Sequence, residues 1–507
     1  MNANPKPQAP ATRKKIACGK QRSDAALGHE FQNTSRPKGT KESAWPVVQL
    51  GDIAEVKLGK MLDKAKHKTG RRLPYLRNVN VRWGTIETAD LLEMNFEEEQ
   101  LDRFGLKAND VLVCEGGEPG RASVWNGHLP DLKFQKALHR VRFKVPFDPR
   151  LLVYLLELLA KNGGLERRFT GSTIKHFTRE AFVQLPIPFP PEAEQRWIVA
   201  EIEKQFTRLE AGVAALRRVQ ANLKRYRAAV LKAACEGRLV PTEAELAKQA
   251  EREFESGADL LASISDTAPS EAKPRRAGRL WGAGHVPDLT DDERLTVPRG
   301  WVWTKVRNVG FDPESAVQVG PMSMKSEDFT KDGVPVLNVG CVQWDRFEES
   351  KLNHLPLVKA SDFERYRIKP GDVLFTRSGT VGRCAVAQPH QDGWLMTFHL
   401  LRARVNPRKC LPAYLRTVFE GAPHIRRQTT AASVGSTRAG FNTNLLANLA
   451  VPLPPLAEQK RIVAEVERRL SVVEELETVV SANVQRATRL RQSILQKAFT
   501  GELVGRT

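Results

Sequence analysis

The chain has 507 residues, 41% of them hydrophobic, and carries 79 Lys and Arg against 59 Asp and Glu, a formal net charge of +20. That length predicts two or more domains, and the apolar content excludes a wholly disordered polymer. The positive balance favours a polyanionic partner, most often nucleic acid. Six cysteines, Cys18, Cys114, Cys235, Cys341, Cys384 and Cys410, form no CxxC pair, so neither a zinc site nor a disulfide framework is suggested, which fits a cytoplasmic protein. No apolar run approaches the ~20 residues of a membrane-spanning helix, and no membrane is expected as a partner.

In chain order, residues 1–44 read as a basic, disordered N-terminal extension. Residues 45–190 alternate short apolar runs with turns, the pattern of strands, with a helix expected over 150–161, and so predict an α+β domain. Pro188, Pro190 and Pro191 end that extended stretch. A long helix follows within 191–240, from about Glu192 to Cys235, with Gly237 just past its end as a stop signal. Residues 241–299 form a linker: AELAKQAEREFE has the look of a short helix, and a Ser, Ala, Pro and Gly-rich stretch follows. Residues 300–454 repeat the strand and turn pattern in VPVLNVGCV, GDVLFTRSG and LLRARVNP. Pro452, Pro454 and Pro455 then introduce a second helix within 455–504, from about Leu456 to Phe499, closed by Gly501.

The second half repeats the first. The offset between copies drifts from 256 to 262 through the globular parts, then holds at 264 from the GST elements at 171–173 and 435–437 onward. Constant length is what a long helix demands, because one inserted residue turns everything after it by about 100°. Both helices carry heptads. Ile202, Leu209, Leu216, Leu223 and Val230 stand seven apart, with Val199, Phe206 and Val213 between them. In the second copy Val466, Val473, Val480, Ala487 and Ile494 form one seam, and Val463, Leu470 and Val484 the other. The fold class read from this is α+β: two tandem α/β domains, each followed by a long α-helix, the two helices pairing as an antiparallel coiled coil.

No catalytic constellation stands out. GxxxxGK[ST], HExxH and [DNS]PP[YF] are absent, and the Gly-rich EGGEPGR and SGTVGR segments lack the strand–GxGxxG–helix context of a dinucleotide site and read as tight turns. Metal ligands are not expected either. Residue types that read DNA do cluster, since Arg pairs with guanine, Asn or Gln with adenine, and basic or hydroxyl side chains hold phosphates. In the first domain these are Arg71, Arg72, Arg77, Asn78, Asn80, Arg82, Arg167, Arg168, Ser172, Thr173, Lys175 and His176. In the second they are Arg377, Ser378, Arg383, Arg426, Arg427, Gln428, Ser436, Thr437 and Arg438.

Each long helix opens with PxPPxxEQxxIV. The motif comprises Pro188, Pro190, Pro191, Glu194, Gln195, Ile198 and Val199, and again Pro452, Pro454, Pro455, Glu458, Gln459, Ile462 and Val463. With the GST elements, the GDVL segment of the second copy and the GxLV ends, this organisation resembles the specificity (HsdS) subunits of type I restriction–modification systems. The first copy departs mildly, with NDVL for GDVL and GGEPG for SGTVG. The resemblance implies that each globular part is a target recognition domain reading one half of a bipartite, asymmetric site on double-stranded DNA. It implies that the paired helices set the spacer and dock two modification (methyltransferase) subunits, which bind S-adenosylmethionine. It further implies restriction/translocase subunits that use ATP and Mg, and no cofactor or catalysis in this chain. The alternative is a coiled-coil scaffold or protein-interaction module with only non-specific DNA affinity.

Overall fold

The computed structural model describes residues 45–61, 69–173, 175–262, 297–433 and 441–503. The extension 1–44, most of the linker, Cys18, and the second GST element with Ser436, Thr437 and Arg438 lie outside the described residues. The chain divides into two units, Met1–Ala215 with Asn483–Thr507, and Leu216–Ala482. Each unit thus holds one globular domain, the beginning of the long helix that follows it, and the end of the other long helix.

In the first unit β1 (Ala54–Leu58), β2 (Arg71–Leu76), β3 (Leu92–Phe96), β4 (Val111–Cys114), β5 (Ala122–Val124), β6 (Lys133–Phe134) and β7 (Leu138–Phe143) build two sheets. One is an antiparallel four-stranded sheet in the order β1-β7-β4-β5, the other a three-stranded sheet in the order β3-β2-β6 with β2 and β6 parallel. In the second unit β8 (Val317–Val319), β9 (Val334–Leu337), β10 (Asn353–Leu355), β11 (Val373–Thr376), β12 (Cys384–Val386), β13 (Leu395–Met396) and β14 (Leu400–Ala403) repeat the plan. Their orders are β8-β14-β11-β12 and β10-β9-β13, again with the β9–β13 pair parallel. A short ribbon closes each domain, pairing Val47–Gln49 with Pro186–Pro188 and Val302–Lys305 with Ala450–Leu453.

The central strand β4 is buried on both faces, as the unbroken apolar run VLVC requires. Val111 and Val113 face α1 (Pro149–Lys161), while Leu112 and Cys114 face Leu73, Tyr75 and Phe134 of the smaller sheet. The second copy sends Val373 and Phe375 one way and Leu374 the other. The turn before each central strand explains the DVL motif. Asp110 accepts from the Lys107 amide and takes Arg142 on both carboxylate oxygens at 2.7 Å. Asp372 does the same with Lys369 and Arg404. The residue before each Asp has positive φ, 72° at Asn109 and 86° at Gly371. Asn tolerates that conformation nearly as well as Gly, so the NDVL departure leaves the turn intact.

The long helices are α2 (Glu192–Cys235) and α6 (Leu456–Phe499), each beginning and ending at the residues that the proline and glycine signals marked. Between them come α3 (Glu243–Gln249), the short helix expected in the linker, then α4 (Pro412–Gly421) and α5 (Pro423–Ser433). The EQ pair at the start of each long helix is a clamp. Glu194 accepts the Trp45 indole N–H at 2.7 Å, and Glu458 accepts that of Trp301 at 2.8 Å. Gln195 accepts from the Asp148 amide and donates to the Pro190 carbonyl. Gln459 accepts from the Leu411 amide and donates to the Lys409 and Pro454 carbonyls. Motif residues therefore tie each domain to its helix and satisfy backbone groups that would otherwise be buried unpaired.

The described seam residues are buried or half-buried. Ile198, Val199, Ile202 and Phe206 of α2 share a core with Ile494, Leu495, Ala498 and Phe499 of α6 in the first unit. In the second unit Val230, Leu231 and Cys235 share a core with Ile462, Val466 and Leu470, and Leu223 packs with Val473 and Val480. Cys114, Cys235, Cys341, Cys384 and Cys410 are buried and unbridged. Among the described residues no helix is long and apolar enough to cross a membrane.

Candidate nucleic-acid interface

In the first domain three chain segments meet at the end of the central hairpin β4–β5. The EGGEPGR turn joins the two strands. Its Gly117 has φ 81°, and a Cβ there would lie 2.8 Å from Asn78 Nδ2, so only glycine allows so close an approach. Asn78 donates to the Gly116 carbonyl at 3.2 Å, and Arg121 donates to the Asn78 carbonyl at 2.8 Å while pairing with Glu118 at 2.7 Å. The third segment is the GSTIKH loop. Reciprocal bonds of 2.9 Å between Thr170 and His176 close its base, leaving Ser172, Thr173, Lys175 and His176 exposed. Lys175 sits 3.8 Å from Glu166, beside Arg167 and Arg168 in the Glu166–Arg168 turn. Burial raises the Glu115 carboxyl pKa, opposed by the charges of His176 and Lys136.

Candidates from the same domain fall elsewhere or are already engaged. Arg71 and Arg72 begin β2, roughly 20 Å of strand from Arg77 at ~3.3 Å per residue, and pair with Asp131 and Glu93. Arg77 is held by Asp90 at 2.6 Å, and Arg82 pairs with Glu87 at 3.3 Å. Asn80 is buried. Its oxygen accepts from the Arg77 amide, and its nitrogen donates to the Glu87 and Asp90 carbonyls. Its geometry is that of a turn brace.

The second domain builds the matching hairpin end from SGTVGR. Arg383, in register with Arg121, donates to the Gln343 side chain at 3.1 Å and lies 3.4 Å from the Val339 carbonyl. Arg377 lies over the Phe398 ring, 4.3 Å from its centroid, and Ser378 Oγ is 3.5 Å from His399 Nδ1. Arg426 and Arg427 are exposed near the start of α5, where they line a cavity of about 670 Å³ with Lys232 and Glu420. Gln428 is buried. The two Arg-Arg pairs are thus not equivalent: one lies in a short turn before the GST loop, the other in a helix. Sequence reasoning missed Arg121, Phe398 and His399. The repeat register marks Arg121 as the partner of Arg383, whereas nothing in the sequence signals that Phe398 returns beside Arg377.

The hairpin ends carry no metal-ligand cluster; among the described residues no three His, Cys, Asp or Glu side chains are grouped to hold an ion. The first offers exposed basic, hydroxyl and imidazole groups, and the second the half-buried Arg377 and Ser378 with the exposed His399, the chemistry of phosphate and base-edge contact.

Comparison with known proteins agrees with this architecture. Residues 42–215 and 318–478 match the family described as type I restriction modification DNA specificity domain. The type I restriction enzyme EcoBI specificity subunit of Escherichia coli is 25% identical over 478 residues, covering 91% of this chain and 86% of the relative. The EcoKI specificity subunit of Escherichia coli strain K12 is 24% identical over 442 residues, covering 85% and 82%. A chain from a solved structure, described as "Structural basis underlying complex assembly and conformational transition of the type I R-M system", shares the fold with a TM-score of 0.59. It has 18% identity and covers 91% of this chain and 99% of that one. Two separate matches, one to each copy of the repeated domain, account for most of the sequence: the chain belongs to the family of type I restriction modification DNA specificity domains.

Proposed function

We propose that this chain is the DNA-reading specificity subunit of a type I restriction–modification complex, non-catalytic by itself and cytoplasmic. The observation that carries the reading is the duplicated hairpin end. Its scaffold is the same in both domains, down to Arg121 and Arg383, while the side chains around it differ. Equivalent frames with different surfaces suit two readers of unlike half-sites, 45–190 for one half and 300–454 for the other. Within the first domain Arg167, Arg168, Ser172, Thr173, Lys175 and His176 are the contacts we favour, and within the second Arg377 and Ser378. Ser436, Thr437 and Arg438 are the sequence counterparts of the first GST loop.

The heptads, and the packing of the start of each long helix against the end of the other within each unit, support an antiparallel coiled coil of α2 with α6 that sets the spacer. Tyr226 on α2 and Leu490 on α6, exposed apolar side chains at the repeat's offset of 264, support docking of two modification subunits on equivalent stretches of these helices. S-adenosylmethionine belongs to those subunits, and ATP and Mg to the restriction subunits.

The test is selection of bound fragments from random duplex DNA followed by sequencing. Enrichment of two unlike motifs at a constant gap is expected; salt-sensitive retention with no motif would instead establish the scaffold reading. Replacing Arg167 and Arg168 together with Gln should weaken binding to all sequences and reduce the slope of log K against log salt by about one to two.

A further inference from the structure

Within each unit one arginine joins three helices. Arg491 of α6 grips Glu157 of α1 through Nε at 2.6 Å and Nη2 at 3.1 Å, and reaches Glu210 of α2 through Nη1 at 3.1 Å. Its guanidinium also lies over the Phe206 ring, 3.7 Å from the centroid. In the other unit Arg227 of α2 binds Glu420 of α4 through Nε at 3.1 Å and faces Glu474 of α6 at 3.4 Å. Arg227 and Arg491, like Glu210 and Glu474, stand at the repeat's constant offset of 264, and Glu157 and Glu420 are each the ninth residue of their helix. The same Glu–Arg–Glu bridge therefore occurs twice, with the roles of the two long helices exchanged.

Apolar contact between a domain and a helix pair is non-directional and admits sliding. A forked guanidinium on a carboxylate is not: its hydrogen bonds fix angle as well as distance. Glu157 is only 9% exposed and is held by Arg491 on both carboxylate oxygens, so separating the two strands a buried charge, whereas Arg227 holds the equally buried Glu420 through Nε alone. The domain's helix is thereby held in one orientation against both long helices at once.

We infer that Arg491 and Arg227 are positioning residues that lock the angle at which each recognition domain leaves the helix pair, and so set how strictly the gap between half-sites is measured. The inference rests on the specificity-subunit reading above. The two bridges differ in redundancy. Glu420 also has Arg416 at 3.6 Å, itself paired with Asp345, whereas among the described residues Arg491 is the one cationic partner of Glu157. Arg491 therefore governs its domain more strongly than Arg227 does.

The experiment uses the full chain and a DNA library holding the two half-sites that the wild type selects, separated by random gaps of varied length. Arg491→Gln should retain both half-site sequences while its discrimination between the preferred gap and gaps one base pair longer or shorter falls at least about fivefold. Arg491→Lys, which keeps the charge without the fork, should recover part of that loss, and Arg227→Gln should show a smaller one. Unchanged gap discrimination in an Arg491→Gln protein of wild-type helical content would overturn the inference. Should that variant fail to fold, Arg491→Lys removes the fork on Glu157 while keeping the charge, and unchanged discrimination there would overturn it equally. A wild type that selects no split motif would overturn the specificity reading itself, and this inference with it.

Discussion

Gln195 and Gln459 illustrate how a repeated motif residue is consumed by the backbone. Each side chain bridges the turn before a domain helix to the proline segment before a long helix. Gln459→Ala strips the Leu411 amide and the Lys409 and Pro454 carbonyls of their partners, and should cost roughly 2–4 kcal/mol, read as a lower melting temperature with DNA specificity retained in the surviving protein. His139 makes a second residue-scale case. It is fully buried, and the 2.7 Å contact with the Phe177 carbonyl requires the proton on Nε2. Burial lowers its pKa, the Phe177 bond opposing. Above the unfolded value of about 6.5 the ring is neutral in both states and no penalty exists. Below it the unfolded chain takes a proton that the folded one refuses, so stability falls with pH. Melting wild type and His139→Gln at pH 7.5 and 5.5 should show the wild type losing more on acidification. An equal loss in both proteins would exclude His139 as a source. These side chains also mark where the sequence is opaque. Asn80 and Gln428 have the chemistry of adenine readers, yet both are buried, and the amide of Asn80 is spent on carbonyls supplied by neighbouring turns. Composition announces the donor; only the fold reveals the acceptor.

Among elements, the long helices were the most legible. Proline before and glycine after delimit them because both residues act locally, through a fixed φ and a positive one. Periodicity alone marked the heptad positions, which are buried or half-buried. Less visible were Ile198 and Ile462, which lie outside the heptad positions yet are buried against the globular domains, because a helix that serves both a partner helix and a domain needs a wider apolar face than a strict seam. The sheets were legible as strands but not in their order, since the parallel β2–β6 and β9–β13 pairings join segments far apart in sequence. Gly212 supplies a prediction at this scale. It lies in the middle of α2, exposed, with nothing within 4 Å of where a Cβ would project. Gly212→Ala should therefore stabilise the chain by up to about 1 kcal/mol through helix propensity alone, raising the melting temperature with DNA selection unchanged. A drop in stability would mean that the glycine serves a bend or a close contact in the assembled complex.

For the whole molecule the consequence of the duplication is interchangeability. Each domain is attached by the same three devices: a tryptophan indole on the motif glutamate, the motif glutamine on the turn before the domain helix, and an arginine from the other long helix on the ninth residue of the domain helix. None of these devices lies on the hairpin end proposed to face DNA, so attachment and reading use separate surfaces. A chain carrying residues 300–454 in place of 45–190 keeps Trp301, Leu411 and Glu420 opposite Glu194, Gln195 and Arg491, and the frame should accept the foreign domain. On the specificity reading such a protein has two copies of one reader, and the antiparallel pairing proposed for α2 and α6 predicts that they meet opposite strands. Fragment selection should then return the second half-site twice, as an inverted repeat, in place of the asymmetric pair selected by the wild type. Folding with loss of all selection would show that the readout depends on contacts between a domain and its own helix that the three devices do not include.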